Sequence, residues 1–504
     1  MKILLTTLNS KYIHSNLAVK YLYMSAIDYR RQLTLREFTI NNDPDYIFTE
    51  IVRGDYHAVC FSCYIWNVDM TMRLAKNIKK AQPNIKIVLG GPEVSFDSVE
   101  IMKKNRFVDF IIRGEGEGVF PAFIKQLLGR GIYKNVRGIL YRDMGKIYVN
   151  PQGEPMDFNQ VPFPYGYIQP EKDKIIYYES SRGCPFRCSF CLSSVEKHVR
   201  TLPFERVKKE LKYFLLQKVK QVKFIDRTFN FDRDRCNRII SYIINHDNGV
   251  TNFHFEICGE LIDDRFIELM KEARPGLFQV EIGVQSLNPT TLEAVNRGKN
   301  RELLLYNAKR LTDLGTVHVH LDLIAGLPYE DYLTFMESFN GVYELRPMEL
   351  QLGFLKLLKG TRIRDEKEKY GYVFRQEAPY QVIANRFISA DGIARLKMVE
   401  NVLDLYYNRG GFTKTLEYAV GKLRETAFDL YEELAYFFYL KGYQNRSHKK
   451  EDLYRIFFQY ALWKDRSLPG VAEEVRKLLA ADMEGTLNPE AVKKFNKKGW
   501  DFGK

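Results

Sequence analysis

The sequence lacks any apolar run long enough to cross a bilayer, which takes about 20 residues as a helix. Its first segment, Met1-Lys-Ile-Leu-Leu, reaches the polar residues Asn9 and Ser10 too soon for the apolar core of a signal peptide. Low-complexity tracts are also absent, and 45% of the 504 residues are hydrophobic, which predicts a folded globular protein of two to four domains. We therefore expect a cytoplasmic protein without membrane insertion.

Cysteine is scarce as well, with seven residues, and three of them fall within eight positions in the segment Cys184-Pro-Phe-Arg-Cys188-Ser-Phe-Cys191. This clustering suits a reducing compartment better than a disulfide framework. A structural zinc site uses four ligands, whereas three thiolates can hold three irons of a [4Fe-4S] cubane and leave the fourth iron open. The spacing favours an iron–sulfur site over a zinc loop or three incidental cysteines.

Charge identifies no ligand. The net charge of +13 fits either a polyanion such as RNA or a solvated basic surface, and we favour the solvated surface. The tail Lys493-Lys-Phe-Asn-Lys-Lys498 could contact nucleic acid, but a frayed, solvated chain end is the favoured interpretation.

Residues 1–130 alternate short apolar runs with helical patterns. Strands are predicted at 2–7, 33–39, 57–62, 85–89 and 108–112, with helices at 15–31, 44–53, 68–81, 95–104 and 116–128. This order predicts an α/β domain with a doubly wound, flavodoxin- or Rossmann-like parallel sheet, which binds ligands beyond the carboxyl ends of its strands. Ser62 and Gly90-Gly91-Pro92-Glu93 follow two of these strands, and glycine there lets backbone approach a bulky ligand.

The remaining chain divides into three parts. Residues 131–172 predict a hairpin, at 138–141 and 146–149, and a proline-rich connector. Residues 173–368 contain six strand–helix repeats and predict a partial (β/α)6, TIM-like barrel open at one side, with strands at 175–180, 221–226, 251–258, 277–284, 317–324 and 349–356. Residues 369–504 predict an all-α extension with helical segments at 379–407, 412–441, 449–465 and 470–481.

Polar residues follow the barrel strands where a purely structural interpretation does not need them. Taken singly, each carboxylate there could be a strand-end cap or a surface ion pair. Together they predict an active site at this end of the barrel. The set comprises Asp226-Arg227-Thr228, Cys258-Gly-Glu260, Glu281-Ile-Gly283-Val-Gln285-Ser286, Asp322, Gly326-Leu-Pro328 and Lys356.

The C-x3-C-x2-C spacing, with Phe190 directly before the last cysteine, resembles the cluster motif of radical S-adenosylmethionine (radical SAM) enzymes. The strand ends at Ser62, at Gly90-Gly91 and at 113–117 resemble the cobalamin-binding domain that precedes the barrel in one branch of this superfamily. The helical extension resembles a domain of unknown function found in a subset of those enzymes.

The resemblance implies roles for individual residues. Cys184, Cys188 and Cys191 would ligate a [4Fe-4S] cluster whose fourth iron binds S-adenosyl-L-methionine. Ser62, Gly90, Gly91 and Glu93 would line the pocket for the nucleotide tail of cobalamin. Phe190, Asp226, Glu281, Gln285, Ser286 and Gly326 would surround S-adenosylmethionine, with Asp226 standing where many members have Gly-Gly-Glu. The D-x-H-x-x-G motif is missing around His14, so we expect no histidine ligand to cobalt.

The implied reaction is reductive cleavage of S-adenosylmethionine to a 5′-deoxyadenosyl radical, followed by methylation of an unactivated carbon in an unidentified substrate. Cobalamin-assisted rearrangement without methyl transfer is the alternative. Cys258 and Tyr177 or Tyr178 are candidate radical or proton partners, although buried packing is the favoured role. A flavodoxin or ferredoxin would supply the electron.

Two other classes of protein fit less well. A tRNA-modifying methylthiotransferase needs three further cluster-binding cysteines near the amino terminus, where residues 1–130 contain only Cys60 and Cys63. A non-catalytic cobalamin or iron–sulfur sensor would not need the polar strand ends of the barrel.

Overall fold

The computed structural model describes residues 1–500 except Lys197, Lys299 and Asn445, and it leaves out the side chain of Lys498. Within this part of the chain, no helix is both long enough and apolar enough to span a bilayer.

The first sheet has seven strands in the order β2-β1-β3-β4-β5-β6-β7. Strands β1 to β5 pair in parallel, as the alternation of strands and helices predicts. All seven residues of β1 are buried because helices cover both faces of the sheet: Leu4 and Leu8 belong to one apolar cluster, and Ile3 and Leu5 belong to another. The strands are β1 Ile3–Asn9, β2 Leu33–Thr39, β3 Ala58–Ser62, β4 Lys86–Gly90, β5 Phe110–Ile112, β6 Ile139–Asp143 and β7 Lys146–Val149. The helices are α1 Leu17–Ser25, α2 Pro44–Arg53, α3 Val68–Ala81, α4 Pro92–Ser95, α5 Ser98–Lys104 and α6 Val119–Leu128.

The predicted hairpin is not a free-standing part of the connector. Its strand β6 pairs antiparallel with β5, and β7 pairs with β6, so the hairpin extends the first sheet. Pairing satisfies the backbone groups that β5 would otherwise expose at the edge of the sheet.

The second sheet contains six parallel strands in the order β15-β14-β13-β12-β11-β8, and its edge strands β8 and β15 do not pair with each other. This open arrangement confirms the predicted partial barrel. The strands of this part are β8 Ile176–Tyr178, β9 Ser181–Arg182, β10 Arg200–Thr201, β11 Gln221–Phe224, β12 Asn252–Ile257, β13 Phe278–Gln285, β14 His318–Ala325 and β15 Glu349–Phe354. The helices are α7 Phe204–Leu216, α8 Arg233–Asn245, α9 Asp264–Glu272, α10 Pro289–Ala294, α11 Arg301–Leu314 and α12 Tyr332–Tyr343.

Alternation along β13 explains the two faces of the barrel wall. Phe278, Val280, Ile282 and Val284 are buried, whereas the four residues between and after them are half-exposed. Period-two alternation sends the apolar set to the surrounding helices and the polar set to the barrel interior.

The carboxyl-terminal region is helical, as predicted, but it also contains a small hairpin. Residues predicted to begin a helix at 379 instead form β17, which pairs with β16, and the helix begins at Ala390 after the N-cap Ser389. The segment predicted as one helix over 412–441 is two helices, because the backbone turns at Gly421, where φ is +90°. The elements are α13 Arg362–Asp365, α14 Lys367–Tyr370, β16 Val373–Phe374, β17 Val382–Ala384, α15 Ala390–Leu403, α16 Thr413–Lys422, α17 Ala427–Lys441, α18 Lys450–Asp465, α19 Val471–Thr486 and α20 Pro489–Lys498. The tail expected to be frayed is therefore α20.

Candidate active site

The three clustered cysteines lie in a loop at the carboxyl end of the first barrel strand. Cys184 and Cys188 are buried, and Cys191 is half-buried. The backbone N–H of Cys191 donates to the carbonyl of Cys188 at 3.1 Å, and that of Ser189 donates to Val295 at 2.9 Å. These bonds attach the loop to the segment that follows β13 and α10.

The donor set fits an iron–sulfur cluster better than a single metal ion. The loop brings together three thiols, of which two are buried and one is half-buried. A structural zinc site uses four ligands on one ion, whereas three cubane thiolates bind separate irons and leave the fourth iron open. Burial raises the pKa of the Cys188 thiol, and the Arg297 guanidinium opposes this rise.

Arg297 is a site residue that sequence reasoning missed. Its Nη1 lies 3.8 Å from the Cys188 sulfur, and its Nη2 donates to the Gly283 carbonyl at 2.7 Å. This position holds a permanent positive charge beside the cysteine loop. The available signal was the arginine in Asn296-Arg297-Gly298, shortly after the Glu281–Ser286 pattern.

Gly283 makes room for two of these side chains. A Cβ atom at position 283 would overlap Nε2 of Gln285 and lie 3.4 Å from Nη2 of Arg297. Gln285 has a φ of +72°, and the pairing of β13 with β14 shifts register at this point. The buried Oε1 of Gln285 has no hydrogen-bond partner among the described residues, which leaves it free for a ligand.

Below the strand ends, the barrel interior is charged. Glu281 lies 3.1 Å from Nε2 of His254 and 3.4 Å from Nζ of Lys223. Burial alone would raise the pKa of Glu281, but these two neighbours outweigh it and lower the pKa to about 2. Burial, with the charges of Glu281 and Glu256, raises the pKa of Asp322 well above its usual value. Oδ1 of Asp322 is buried and has no partner within the described part of the chain.

Several residues predicted to contact S-adenosylmethionine are engaged elsewhere. Both oxygens of the fully buried Asp226 accept hydrogen bonds from Ser180 and Ser181, at 2.6–2.7 Å. Ser286 is buried and hydrogen-bonds Glu330. Asp226 therefore holds the segment that leads from β8 to the cysteine loop. Ser286 holds Glu330, which lies just before α12.

The remaining predicted barrel residues are placed as follows. Phe190 is half-buried and packs against the main apolar core. The Gly326 carbonyl accepts hydrogen bonds from Tyr372 at 3.0 Å and Asn385 at 2.9 Å, so this turn contacts the carboxyl-terminal region. Cys258 is buried, with its thiol 3.8 Å from Glu260.

The two tyrosines of β8 point to opposite faces. Tyr178 is buried on the helical side and donates to Glu210 at 2.7 Å. The Tyr177 hydroxyl lies 2.7 Å from Nδ1 of His14, and burial raises the pKa of Tyr177 to about 12. The His14 ring is therefore engaged with the barrel edge.

The carboxyl edge of the first sheet carries the predicted cobalamin residues. Ser62 and Gly90 are the last residues of neighbouring strands and lie opposite each other in register. A Cβ at Gly90 would meet only Ile112 within 4 Å, so the space above it is open. Gly91 has a φ of +103°, and a Cβ there would lie 2.5 Å from the Cys63 carbonyl. Glycine is therefore needed at position 91 for the packing of this loop against Cys63.

Loops from this edge contact the barrel near both of its edge strands. On the β8 side, Ser15 donates at 2.9 Å to the carbonyl of Ile175, which directly precedes β8. On the β15 side, Lys359 Nζ lies 3.4 Å from Asp97, and the Tyr380 hydroxyl donates to the buried Glu93 at 2.8 Å. The Glu93 carboxylate is thus committed to the junction between domains, and the first sheet faces the mouth of the barrel.

An arginine next to the cysteine loop joins the same domains. The side chain of Arg182 is 13% exposed and lies 2.7 Å from Glu179, 2.8 Å from Glu117 and 3.2 Å from Glu115. Glu115 also pairs with Arg200. The Arg182 guanidinium therefore forms ion pairs with one carboxylate of the barrel and two carboxylates of the first domain.

Three segments of the chain match protein families. The matched descriptions are B12 binding domain for residues 3–124, Radical SAM superfamily for residues 178–340 and Protein of unknown function (DUF4080) for residues 368–500.

Curated relatives match somewhat more than half of the chain. The cobalamin-dependent radical SAM methyltransferase TokK of Streptomyces tokunonensis is 26% identical over 326 residues, which are 58% of this chain and 45% of TokK. The anaerobic magnesium-protoporphyrin IX monomethyl ester cyclase of Rubrivivax gelatinosus is 26% identical over 300 residues, which are 56% of this chain and 53% of the cyclase. The chain spans about half the length of the curated relatives it matches.

A solved structure resembles nearly the whole chain. The cobalamin-dependent S-adenosylmethionine radical enzyme OxsB, solved with aqua-cobalamin and S-adenosylmethionine bound, has a TM-score of 0.65 and 15% identity over 99% of this chain and 84% of OxsB. At this identity the likeness concerns the fold, and it confirms the predicted order of a parallel sheet, a partial barrel and a helical region. The chain therefore contains a radical SAM domain, with a B12-binding domain before it and a DUF4080 domain after it.

Proposed function

We propose that this protein is a cobalamin-dependent radical SAM enzyme that methylates an unactivated carbon of its substrate. The observation that carries the proposal is the placement of the three-cysteine loop at the barrel mouth, where Arg182 beside the loop pairs with Glu115 and Glu117 at the carboxyl edge of the B12-binding domain. A ligand of each domain would then lie near the ligand of the other. The division into 1–130, 131–172, 173–368 and 369–504 belongs to this proposal and is supported by the three family matches.

The cluster would be held by Cys184, Cys188 and Cys191. Gln285 and Arg297 would bind S-adenosylmethionine, since they offer an unpartnered amide oxygen and a cation next to the cysteine loop. Phe190 would shield the cluster. Bound in this way, the cluster, S-adenosylmethionine and cobalamin would supply one-electron cleavage of a carbon–sulfur bond and transfer of a methyl group.

Other predicted residues support the site indirectly. Glu281 would orient Lys223 and His254 inside the barrel, while Asp226, Ser286 and Gly326 would hold the strand ends that position the ligands. Asp322, with its unpartnered oxygen, would accept a hydrogen bond from a donor group of the substrate.

The cobalamin tail would lie along Ser62, Gly90 and Gly91, where the absence of side chains on the two glycines allows close approach. Glu93 would act at a distance by joining this loop to Tyr380. No histidine would ligate cobalt, because the D-x-H-x-x-G motif is missing around His14. A flavodoxin or ferredoxin would reduce the cluster.

A second reaction is favoured by one comparison. The similarity to a magnesium-protoporphyrin cyclase supports cobalamin-assisted ring formation or rearrangement without methyl transfer. Both reactions would use the same cluster cysteines, and they differ in whether S-adenosylhomocysteine forms.

The test is anaerobic reconstitution with iron, sulfide and hydroxocobalamin, followed by reduction with S-adenosylmethionine and quantitation of 5′-deoxyadenosine and S-adenosylhomocysteine. We expect both products from the wild type and neither from the Cys184→Ala, Cys188→Ala, Cys191→Ala triple variant. Formation of 5′-deoxyadenosine without S-adenosylhomocysteine would support the rearrangement. Failure to retain cobalamin would contradict the role given to residues 1–130.

Gly283→Ala is expected to weaken binding of S-adenosylmethionine by about tenfold or more, because the new methyl group displaces Gln285 and crowds Arg297. The measurement is equilibrium dialysis with the cluster-loaded protein. Iron content should match that of the wild type, since the nearest atoms that the new Cβ meets belong to Gln285 and Arg297 and not to a cysteine. Gly485→Ala, in α19, is the control because a Cβ there meets nothing within 4 Å. Equal affinity in the wild type and Gly283→Ala would exclude Gln285 and Arg297 from the binding site.

A further inference from the structure

We propose that His318, His320 and Glu349 form a binding site for one divalent transition-metal ion at the amino-terminal end of the barrel. The cysteine loop and the polar strand ends lie at the other end. At about 3.3 Å per residue, the eight residues of β14 separate the two ends by roughly 25 Å. The site is therefore distinct from the one that would hold the cluster.

Strand geometry brings the three side chains together. His318 and His320 are two residues apart on β14 and so project from the same face, and Glu349 is opposite His320 in register on the edge strand β15. Nε2 of His318 lies 3.8 Å from Oε2 of Glu349, and Nε2 of His320 contacts the same oxygen. One ligand atom from each residue falls within 4.8 Å of the other two.

The imidazoles lack other partners. Nε2 of His318 and both ring nitrogens of His320 make no hydrogen bond of acceptable geometry within the described residues. His320 is only 8% exposed, and its Nε2 and that of His318 converge on one carboxylate oxygen of Glu349. His254, in the same barrel interior, instead forms a hydrogen bond of ordinary length with Glu281 at 3.1 Å. A bound ion would lie between the two imidazoles and the Glu349 carboxylate and accept a lone pair from each.

The donor chemistry selects the class of ion. Two imidazole nitrogens and one carboxylate oxygen suit zinc and neighbouring first-row ions, whereas magnesium and calcium prefer oxygen ligands only. Three protein ligands leave a coordination position for water, and the side chains of His318 and Glu349 are 41% and 34% exposed, so solvent reaches the site. The ion would join the edge strand β15 to the rest of the sheet.

The test uses the full-length chain carrying Cys184→Ala, Cys188→Ala and Cys191→Ala, so that no zinc binds the clustered thiols. Co²⁺ is added and its d–d absorption is followed, and Zn²⁺ affinity is then measured by competition with a chromophoric chelator. We expect one ion per chain and a Zn²⁺-dependent rise in the thermal unfolding midpoint.

Adding His318→Ala should lower Zn²⁺ affinity by at least about tenfold and abolish the rise in midpoint. His320→Gln should do the same, and circular dichroism checks that both variants are folded. The matched control is His246→Ala, which removes an exposed histidine that hydrogen-bonds only its own helix backbone at 2.9 Å. Absence of Co²⁺ or Zn²⁺ binding to the chain that carries the three cysteine substitutions, or equal affinity in His318→Ala, would overturn the proposal.

Discussion

Arg182→Met is expected to lower the free energy of unfolding by about 3–5 kcal/mol, the usual effect of removing one partner from a buried charge network. The substitution keeps the length of the side chain but leaves Glu115, Glu117 and Glu179 without their shared cation. Loss of this junction should also loosen the B12-binding domain from the barrel. The measurement is chemical denaturation, with limited proteolysis between the two domains as a second readout.

The destabilisation caused by Arg182→Met should depend on pH in one direction. Burial already raises the pKa of Glu179, and Arg182 opposes that rise. Without Arg182, the folded-state pKa of Glu179 rises further above its unfolded value, so the folded protein binds more protons at this carboxyl. The destabilisation should therefore be largest at pH 8 and shrink as the pH falls toward 5.

The control is Arg137→Met, which removes a cation paired at 3.6 Å with Glu154 where both side chains are well exposed. Exposed pairs contribute about 0–1 kcal/mol, so this variant should unfold like the wild type. An equally small effect of Arg182→Met, or one independent of pH, would show that the three carboxylates are not neutralised by Arg182.

Gly183→Ala is expected to reduce the iron and sulfide retained after anaerobic reconstitution to roughly a tenth of the wild-type amount, in line with the effect of disturbing residues around a metal site. Gly183 precedes the first cluster cysteine and has a φ of +98°. A Cβ there would overlap the backbone carbonyl of His198 and lie 3.3 Å from Cα of Val199. The cysteine loop would have to move away from residues 198–199, which directly precede β10.

Gly145→Ala is the control that distinguishes the steric clash at position 183 from the cost of placing alanine in a left-handed backbone conformation. Gly145 has a similar φ of +78° in the turn between β6 and β7, but a Cβ there meets nothing within 4 Å. The two variants share the cost of a left-handed alanine, about 1–2 kcal/mol, and differ in the contact. Full iron content in Gly183→Ala would mean that the loop accommodates the methyl group and that its position is not set by residues 198–199.

The sequence was most informative where structure depends on neighbouring residues. Apolar runs and helical periodicity located β2 at 33–39 and α2 at 44–53, with the bounds that the structure has. The predicted helix at 379 failed because pairing with β16 outweighed local helical preference, and tertiary pairing commonly overrides propensity.

The site residues divide in the same way. The spacing of Cys184, Cys188 and Cys191 is a local property, so the cysteine loop and the family resemblance were apparent from the chain alone. Arg297 is 109 residues from Cys188, and Tyr380 is 287 residues from Glu93, so neither contact has a signal in local pattern.

By itself, then, the sequence determined the order of the α/β, barrel and helical regions, the parallel pairing of β1–β5 and of the barrel strands, and the cysteine loop, because each rests on short-range periodicity or spacing. Only the tertiary structure decided which polar side chains are free for ligands. The carboxylates of Asp226 and Glu93 accept hydrogen bonds from residues distant in the sequence. Gln285 and Asp322 instead keep buried oxygens without partners among the described residues. The physical reason is that hydrogen-bond satisfaction depends on which strands and loops become neighbours, and that is set by the packing of the whole chain.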